Sequence, residues 1–417
     1  MNAKMDRNTR YDCDVAVVGG GPVGLCLALL LARKGIEVTV LEKEPDVSLD
    51  LRASTFHPPT LDMLDTLGLA EALVAQGLIC PHWQIRLHPD GDRAIFDLSV
   101  LAKDTGHPYR LQCEQWKLSL ALMDALKKEP RGRVIFNREV TGFTQDEHGV
   151  TLSLRDGGED GDPGEASGAI ETIRARLVAG TDGARSIMRK ELGLEFAGLT
   201  YPETTLLVTT HFPFEEHLEG ISNVSYCWKA DGNFALLKVP GRWRVSIYPR
   251  EDLAIEEQLT EEAIEASLQV IVPRSERYEV IEKRPYRVHQ RIVPSYVHGR
   301  VVLAGDAAHL NSPSGGMGLN GGIHDAFELA AALTAILQDQ APLERLELYD
   351  RRRRPIARDQ ILAQADANRA RMREKNPEKR REILANLQAI TQDPDRLYAH
   401  VLKSSMIDGL RLAAAIR

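Results

Sequence analysis

The 417-residue chain has no apolar run near the ~20 residues that a membrane helix requires, so stable membrane insertion is not expected. Residues 1–10 are polar and lack the apolar core of a secretory signal, which points to a cytoplasmic location. Basic residues are in deficit, with 52 Lys and Arg against 60 Asp and Glu. The formal net charge of -8 argues against nucleic acid as a partner, because phosphate binding favours a basic surface. Cysteine is scarce. Cys13, Cys26, Cys80, Cys113 and Cys227 are odd in number, widely spaced and without a CxxC pair, so reduced, mostly buried thiols are expected in place of a zinc site or a disulfide frame. The histidines show no metal-ligand spacing, no metal is expected, and no internal repeat is found.

What is present is a chain with 43% hydrophobic residues, long enough for two or three domains with large cores. Residues 14–18 (Asp-Val-Ala-Val-Val) form a short apolar run that feeds directly into Gly19-Gly20-Gly21-Pro22-Val23-Gly24. That is the pattern of a buried parallel strand entering a phosphate-binding turn. Gly19 permits the tight turn, Gly21 lets the backbone approach a pyrophosphate, and Gly24 lets the following helix pack on its strand. Pro22 suits the first helical turn, where free N–H groups face the phosphates, and residues 25–34 carry the helix to a stop at Gly35. A second strand over 37–41 ends at Glu42, about 20 residues past the glycines, where a carboxylate accepts hydrogen bonds from an adenosine ribose.

Two later segments bear on which dinucleotide this is. Residues 301–305 are again an apolar strand running into glycine, followed by Asp306 in Gly305-Asp306-Ala307-Ala308-His309. An aspartate there suits a ribityl chain. The stretch from Pro313 to Gly322, which includes Gly316, Gly318, Leu319 and Asn320, is dense in glycine immediately before a helical run over 323–337. Backbone N–H groups at such a helix start suit the electron-rich edge of a reduced isoalloxazine. Between them lies Gly180-Thr181-Asp182-Gly183-Ala184-Arg185-Ser186, whose Asp-Gly pair also has a plain turn-forming reading.

On these three segments the chain resembles the single-component FAD-dependent aromatic hydroxylases, the para-hydroxybenzoate hydroxylase-like flavoprotein monooxygenases, from about Asp14 to about Arg354. The resemblance implies that Gly19, Gly21, Pro22, Gly24 and Glu42 hold the ADP half of FAD, with Lys43 beside the ribose. It places Arg52 at the pyrophosphate and the active-site mouth, Gln115 on the flavin at the opening of a helix, and the Val140 backbone at the adenine. Asp182 belongs to an Asp-Gly motif tied to FAD and NAD(P)H, and Asp306 to the ribityl chain. Pro313, Gly316 and the Gly318-Leu319-Asn320 backbone fall beside the flavin ring. Ser314 and Met317 depart from many members, so the fine substrate geometry is not carried over.

The expected architecture is α/β: a Rossmann-like FAD-binding domain, discontinuous over 1–78, 109–194 and 282–343, with an inserted antiparallel-sheet substrate domain over 79–108 and 195–281 and a helical C-terminal region over 344–417. Residues 156–168 are Gly- and acid-rich and read as a hairpin tip between 150–154 and 170–178. The insert alternates β-type runs at 206–210, 224–228, 234–239 and 243–248. Residues 351–354 (four arginines) read as a solvated helix end. Candidate catalytic groups are His57, His211 and Tyr226. Candidate substrate contacts are Trp228, Trp243 and Pro313, with strand alternation placing Tyr226 and Trp228 on one face. Core packing is the competing reading for the sheet aromatics, and a structural role for His57.

One dinucleotide fingerprint leaves no second Rossmann domain for a nicotinamide cofactor. The resemblance therefore implies that NADH or NADPH visits transiently, that reduced flavin takes up O2 as a C4a-hydroperoxide, and that one oxygen passes to a phenolic or heteroaromatic small molecule. Water must be kept from that intermediate, and the ionised, electron-rich form of the substrate favoured. A homodimer is compatible with this reading. The alternatives are a related FAD-dependent reductase or dehydrogenase, a halogenase, whose Trp-x-Trp-x-x-Pro spacing Trp228 and Trp243 do not provide, and a non-catalytic flavin-binding protein.

Overall fold

The computed structural model of the chain describes residues 10–49, 53–156, 171–248 and 254–417. Its first sheet is built on the run Cys-Asp-Val-Ala-Val-Val, strand Cys13–Val18, in which Val15 to Val17 are fully buried. This strand pairs in parallel with Val38–Leu41 on one side and Glu171–Gly180 on the other. Glu171–Gly180 pairs in parallel with Val301–Leu303, and Val38–Leu41 with Gly132–Ile135, which completes a Rossmann-like parallel core. Strands Arg138–Gln145 and Val150–Asp156 extend the sheet antiparallel from Glu171–Gly180. The expected hairpin tip at 156–168 lies, but for Asp156, outside the described residues.

Helix Pro22–Arg33 packs between Gln115–Leu126 and Gly318–Leu337. The last of these starts at Gly318, five residues before the helical run expected from sequence. Glycine is a poor helix former, and packing overrides that preference here: a Cβ on Gly322 would lie 2.6 Å from Val23 Cγ2. The glycines thus bring two helices together beneath the site.

The second sheet runs in the order His309–Leu310, Glu282–Ile292, Ala197–Thr210, Arg242–Ile247, Gly232–Val239, Val224–Lys229, His82–Leu87, Arg93–Asp97. Its pairs are antiparallel except Val224–Lys229 with His82–Leu87. Strand Glu282–Ile292 is a departure from the sequence reading, which placed 282–343 with the cofactor domain. Here it pairs along most of Ala197–Thr210, and the passage back to the first sheet comes after it. Helix Glu261–Ile271 covers part of one face with Ile264 and Leu268 against Trp243 and Val245.

The C-terminal helices are not a solvated appendage. Leu384, Leu387, Leu397 and Val401 pack on Trp83, Phe96, Val224 and Trp228 at the far end of the second sheet. Nor are the four arginines all solvated, because Arg353 is 1% exposed and donates through Nε to Asp325 Oδ1 at 2.7 Å. A helix face is read as charged from composition, but one arginine per turn still points inward.

Candidate flavin and substrate site

The nucleotide cradle is made of backbone. Gly19 has φ +104, and a Cβ there would lie 2.6 Å from the Thr181 carbonyl oxygen. A Cβ on Gly24 would lie 2.1 Å from the Gly19 oxygen, so strand, turn and helix touch directly. Gly21 is the contrast: nothing lies within 4 Å of its hypothetical Cβ. Gly21 is also the N-cap of helix Pro22–Arg33, and no side chain caps it. Uncapped N–H groups beside open space suit a diphosphate. Glu42 ends the second strand with Oε2 accepting from Gly20 N (2.6 Å) and Oε1 from Glu44 N (2.9 Å), which fixes the carboxylate at the cradle edge. Lys43 is exposed and paired with Glu44 at 3.4 Å. Val140 is buried on strand Arg138–Gln145, with Leu154 opposite it. Arg52 lies outside the described residues.

From Gly21 and Pro22 a cavity of about 530 Å³ runs past Gln115, Thr181 and Asp306 to the second sheet. Asp306 lines it from the short 3₁₀ turn Gly305–Ala307. Asp182 does not: Ser186 Oγ donates to its Oδ1 (2.6 Å), and Ile187 N and Met188 N donate to its Oδ2 (2.7 and 3.1 Å). Burial raises its pKa above the ordinary carboxylate value, against the hydrogen bonds that favour the charge. The Asp182 carboxylate caps a helix, leaving Thr181, Gly183 and Ala184 as the lining. Of the Asp-Gly motif, it is Gly183 and not the Asp182 side chain that faces the cavity.

The glycine-rich loop over 313–317 forms another wall, with Pro313, Ser314, Gly316, Gly318 and Leu319 on the cavity. Asn320 is buried behind it: Oδ1 accepts from His57 N (2.8 Å), while Nδ2 donates to Thr55 O (2.9 Å) and Gly316 O (2.7 Å). His57 Nε2 meets Gly315 O at 2.8 Å, which makes it the protonated nitrogen. Burial, with Arg110 nearby, holds this imidazole well below its ordinary pKa and hence neutral. His57 does not line the cavity, so the sequence reading of it as a proton acceptor for substrate is replaced by a clamp on the loop.

On the sheet side the cavity is lined by Leu207, Tyr226, Leu237, Tyr248, Tyr286 and Val288, among others. Tyr226 is the one candidate of its group placed there. Trp228 shares its face, as alternation requires, but is fully buried and donates Nε1–H to Arg371 O at 3.3 Å. Trp243 points to the opposite face, 1% exposed, and donates to Glu215 Oε2 at 2.7 Å. His211 is exposed, with Nδ1 on Gly241 O at 2.8 Å at the turn of a hairpin. All three leave the substrate wall, because sheet aromatics serve the two outer cores and the histidine serves a turn.

Sequence reasoning missed the groups that tie the segments together. Thr181 Oγ1 reaches Val18 O and Gly19 O (2.9 and 3.0 Å), joining the middle segment to the first. Arg189, buried over the Phe196 ring at 3.8 Å, donates to Ala184 O (2.7 Å) and Ala307 O (3.0 Å), joining the middle to the last. Asp325 accepts from Gly305 N (3.1 Å), His309 Nε2 (2.9 Å) and Arg353, fixing the turn that carries Asp306. Burial opposes its ionisation, yet Arg353 and His309 hold its pKa down to about 2. Arg244, on the second sheet, donates to Ser54 Oγ at 2.7 Å. Thr181 and His309 stand inside segments already singled out, but nothing in those motifs reports their bonds, and Arg189, Arg244 and Asp325 lie outside them; the run of arginines at 351–354 holds Arg353.

Such a cradle, opening into a chamber beneath an antiparallel sheet, suits a dinucleotide-binding protein with room for a small molecule beside the cofactor. A family model described as "FAD binding domain" matches residues 12–396, and the chain belongs to that family. It is 37% identical over 375 residues to para-nitrophenol 4-monooxygenase of Pseudomonas sp. strain WBC-3, covering 88% of this chain and 89% of that one. It is 32% identical over 385 residues to 6-hydroxy-3-succinoylpyridine 3-monooxygenase HspB of Pseudomonas putida S16, covering 92% and 95%. The crystal structure of p-nitrophenol 4-monooxygenase PnpA from Pseudomonas putida DLL-E4 superposes with a TM-score of 0.86 at 33% identity, covering 95% and 98%. The chain is an FAD-dependent aromatic monooxygenase.

Proposed function

We propose that this enzyme uses NADH or NADPH and O2 to hydroxylate a phenolic or heteroaromatic small molecule. The observation that carries the reading is the single continuous cavity from the uncapped helix start at Gly21 to Tyr226 and Tyr286 on the sheet. In this reading Gly19, Gly21, Gly24 and Glu42 would hold the ADP half of FAD, with Lys43 and Val140 around the nucleoside and Arg52 at the pyrophosphate and the active-site mouth. Gln115 and Asp306 would flank the ribityl chain and ring, and Pro313, Gly316, Gly318 and Leu319 would wall the ring. The relatives' names support the substrate class, one acting on a nitrophenol and one on a hydroxypyridine.

Bound FAD supplies the chemistry: two electrons from NAD(P)H and the activation of O2, one oxygen atom entering the ring and the other leaving as water. The protein's share is placement and exclusion of water. Loop 313–317, braced by His57 and Asn320, closes one side, and the apolar side chains Leu207, Leu237 and Val288 close another. Tyr226 lines the chamber on the sheet side, with the buried Arg110 guanidinium close to it. The uncapped start of helix Gly318–Leu337 presents N–H groups to the loop side of the chamber. We place the enzyme in the cytoplasm, consistent with five cysteines that are buried and free, and leave a homodimer as an arrangement that size-exclusion with light scattering reads directly.

The test is oxygen uptake and product mass for phenols and hydroxypyridines, with NADH and NADPH compared. A mass gain of one oxygen atom is expected. Cofactor oxidation that yields only hydrogen peroxide with every ring tried would favour an oxidase or reductase instead.

A further inference from the structure

Beside the flavin chamber lies a second cavity of about 290 Å³, between the second sheet and the C-terminal helices. Tyr226, Tyr248 and Ser314 line both spaces, so the two cavities adjoin at these residues. One wall is a face of helix Ala363–Met372, carrying Gln364, Asn368 and Arg371 toward the loop. Asn368 approaches that loop closely, its Nδ2 standing 3.2 Å from where a Cβ on Gly315 would be. This helix follows a π-helical segment, Ala357–Leu362, which shifts the register of the side chains that come after it.

The lining is cationic and short of counter-ions. Arg110 is 3% exposed and lies over the Trp83 ring at 5.0 Å. Its polar neighbours include the Tyr226 hydroxyl, the Cys80 thiol and the imidazoles of His57 and His400, none of them a carboxylate, and its Nε has no partner among the described residues. Burying a guanidinium with no carboxylate is costly unless something compensates it. Across the cavity Arg371 makes no ion pair among the described residues, and Lys403 stands at the rim. His400 reports the resulting field: burial, then Arg371, Arg110 and Lys403, push its pKa down to about 4. Asp359 is the one carboxylate on this lining among the described residues, and Arg358 takes both its oxygens at 2.7 and 2.8 Å.

We propose that this cavity receives a carboxylate-bearing side chain of the aromatic substrate, the carboxylate lying between Arg110 and Arg371 while the ring occupies the flavin chamber. The preferred substrates are then aromatic acids with a short arm, not neutral phenols. Planar guanidinium groups suit a carboxylate, and the aromatic rings of Trp83 and Tyr226 on the lining suit the arm. The proposal rests on the hydroxylase reading for the placement of the ring, and its test is a binding measurement that needs no turnover.

FAD-loaded enzyme is titrated, without NAD(P)H, with 3-(4-hydroxyphenyl)propionate and with the corresponding neutral amide, following the flavin difference spectrum. The acid is expected to bind at least about ten-fold more tightly, and Arg371→Met to remove that preference while leaving the amide within about two-fold of wild type. Arg110→Lys, which keeps a buried cation, should retain part of the preference, so the result does not depend on a variant that fails to fold. Equal affinity for acid and amide in the wild type overturns the proposal, as does an Arg371→Met variant that weakens both alike. A preserved acid preference with no oxygenated product would sink the hydroxylase reading and leave the anion subsite standing.

Discussion

The nucleotide cradle and the substrate wall belong to one cavity but are made of different material. At the cradle the groups facing a ligand are main-chain N–H groups at a helix start, positioned by Gly19 and Gly24 because no side chain fits there. At the substrate wall they are side chains, delivered by strands Ala197–Thr210, Val224–Lys229, Gly232–Val239, Arg242–Ile247 and Glu282–Ile292. The neighbouring cavity adds residues from helices near the C-terminus. A backbone site tolerates little change in sequence, since its geometry is the chain itself. A side-chain site can be re-lined without disturbing the sheet that presents it. The same architecture therefore keeps one cofactor while accepting different rings.

Substitution at the cradle tests that contrast most severely. Gly24→Val puts a branched side chain where a Cβ alone would lie 2.1 Å from the Gly19 oxygen, and main chain cannot yield as a side chain tip can. Loss of at least about 4 kcal/mol, as FAD affinity or as fold stability, is expected. Flavin absorbance per protein and circular dichroism read the two separately. A yellow, folded variant with wild-type FAD content would mean that the helix start can move away from the strand.

The brace beneath the Asp306 turn comes next. Asp325→Ala leaves Arg353 buried without its carboxylate, and a loss of about 3 kcal/mol is expected in thermal or denaturant unfolding. The pH dependence has a definite sign. The Asp325 pKa is depressed from 3.8 to about 2 in the folded protein, so its contribution is present above about pH 4 and disappears as pH falls toward 2. That contribution is worth about 2 kcal/mol, and the variant should lack this part of the acid-induced loss. Parallel stability curves for the two proteins between pH 5 and pH 2 would show that Asp325 does not carry it.

Legibility followed the same division. Strand, glycines, helix, strand and acid could be read from residues 14–42 because each step has a backbone reason that a residue type reports. The four strands of the insert were visible in their alternation, and Tyr226 and Trp228 were rightly placed on one face. What alternation does not carry is which partner covers a face: Trp228 meets the C-terminal helices and Trp243 meets Glu261–Ile271, and neither lines the chamber. His57 and Asn320 are close to the loop in space and 263 residues apart in sequence, so their joint clamp has no local signature. Arg110, Arg371 and His400 come from three separated segments, and nothing in composition distinguishes them from surface charges.

A milder change at the cradle sharpens the comparison further. Glu42→Ala removes a carboxylate that holds Gly20 N and Glu44 N at the cradle edge, where a ribose is expected. FAD should weaken by about 2 kcal/mol, the size of a lost charge-assisted hydrogen bond. Equilibrium titration of the apoprotein with FAD measures it. Unchanged affinity would confine Glu42 to bracing the turn.

The smallest effect is expected where sequence reading placed a catalytic group and the fold places a turn. His211 is exposed and its ring, through Nδ1 on Gly241 O, ties to the turn of the hairpin between Gly232–Val239 and Arg242–Ile247. It does not line the chamber, and the strand that precedes it, Ala197–Thr210, presents Leu207 there instead. His211→Ala should cost no more than about 0.5 kcal/mol of stability, as for an ordinary surface substitution, and leave kcat, KM and the ratio of product to NAD(P)H consumed near wild type. The ratio is the decisive readout, because a group that moves a proton on the substrate changes coupling before it changes affinity. A large fall in coupling with FAD content intact would return His211 to the chemistry and require the hairpin at Gly241 to fold over the chamber during turnover.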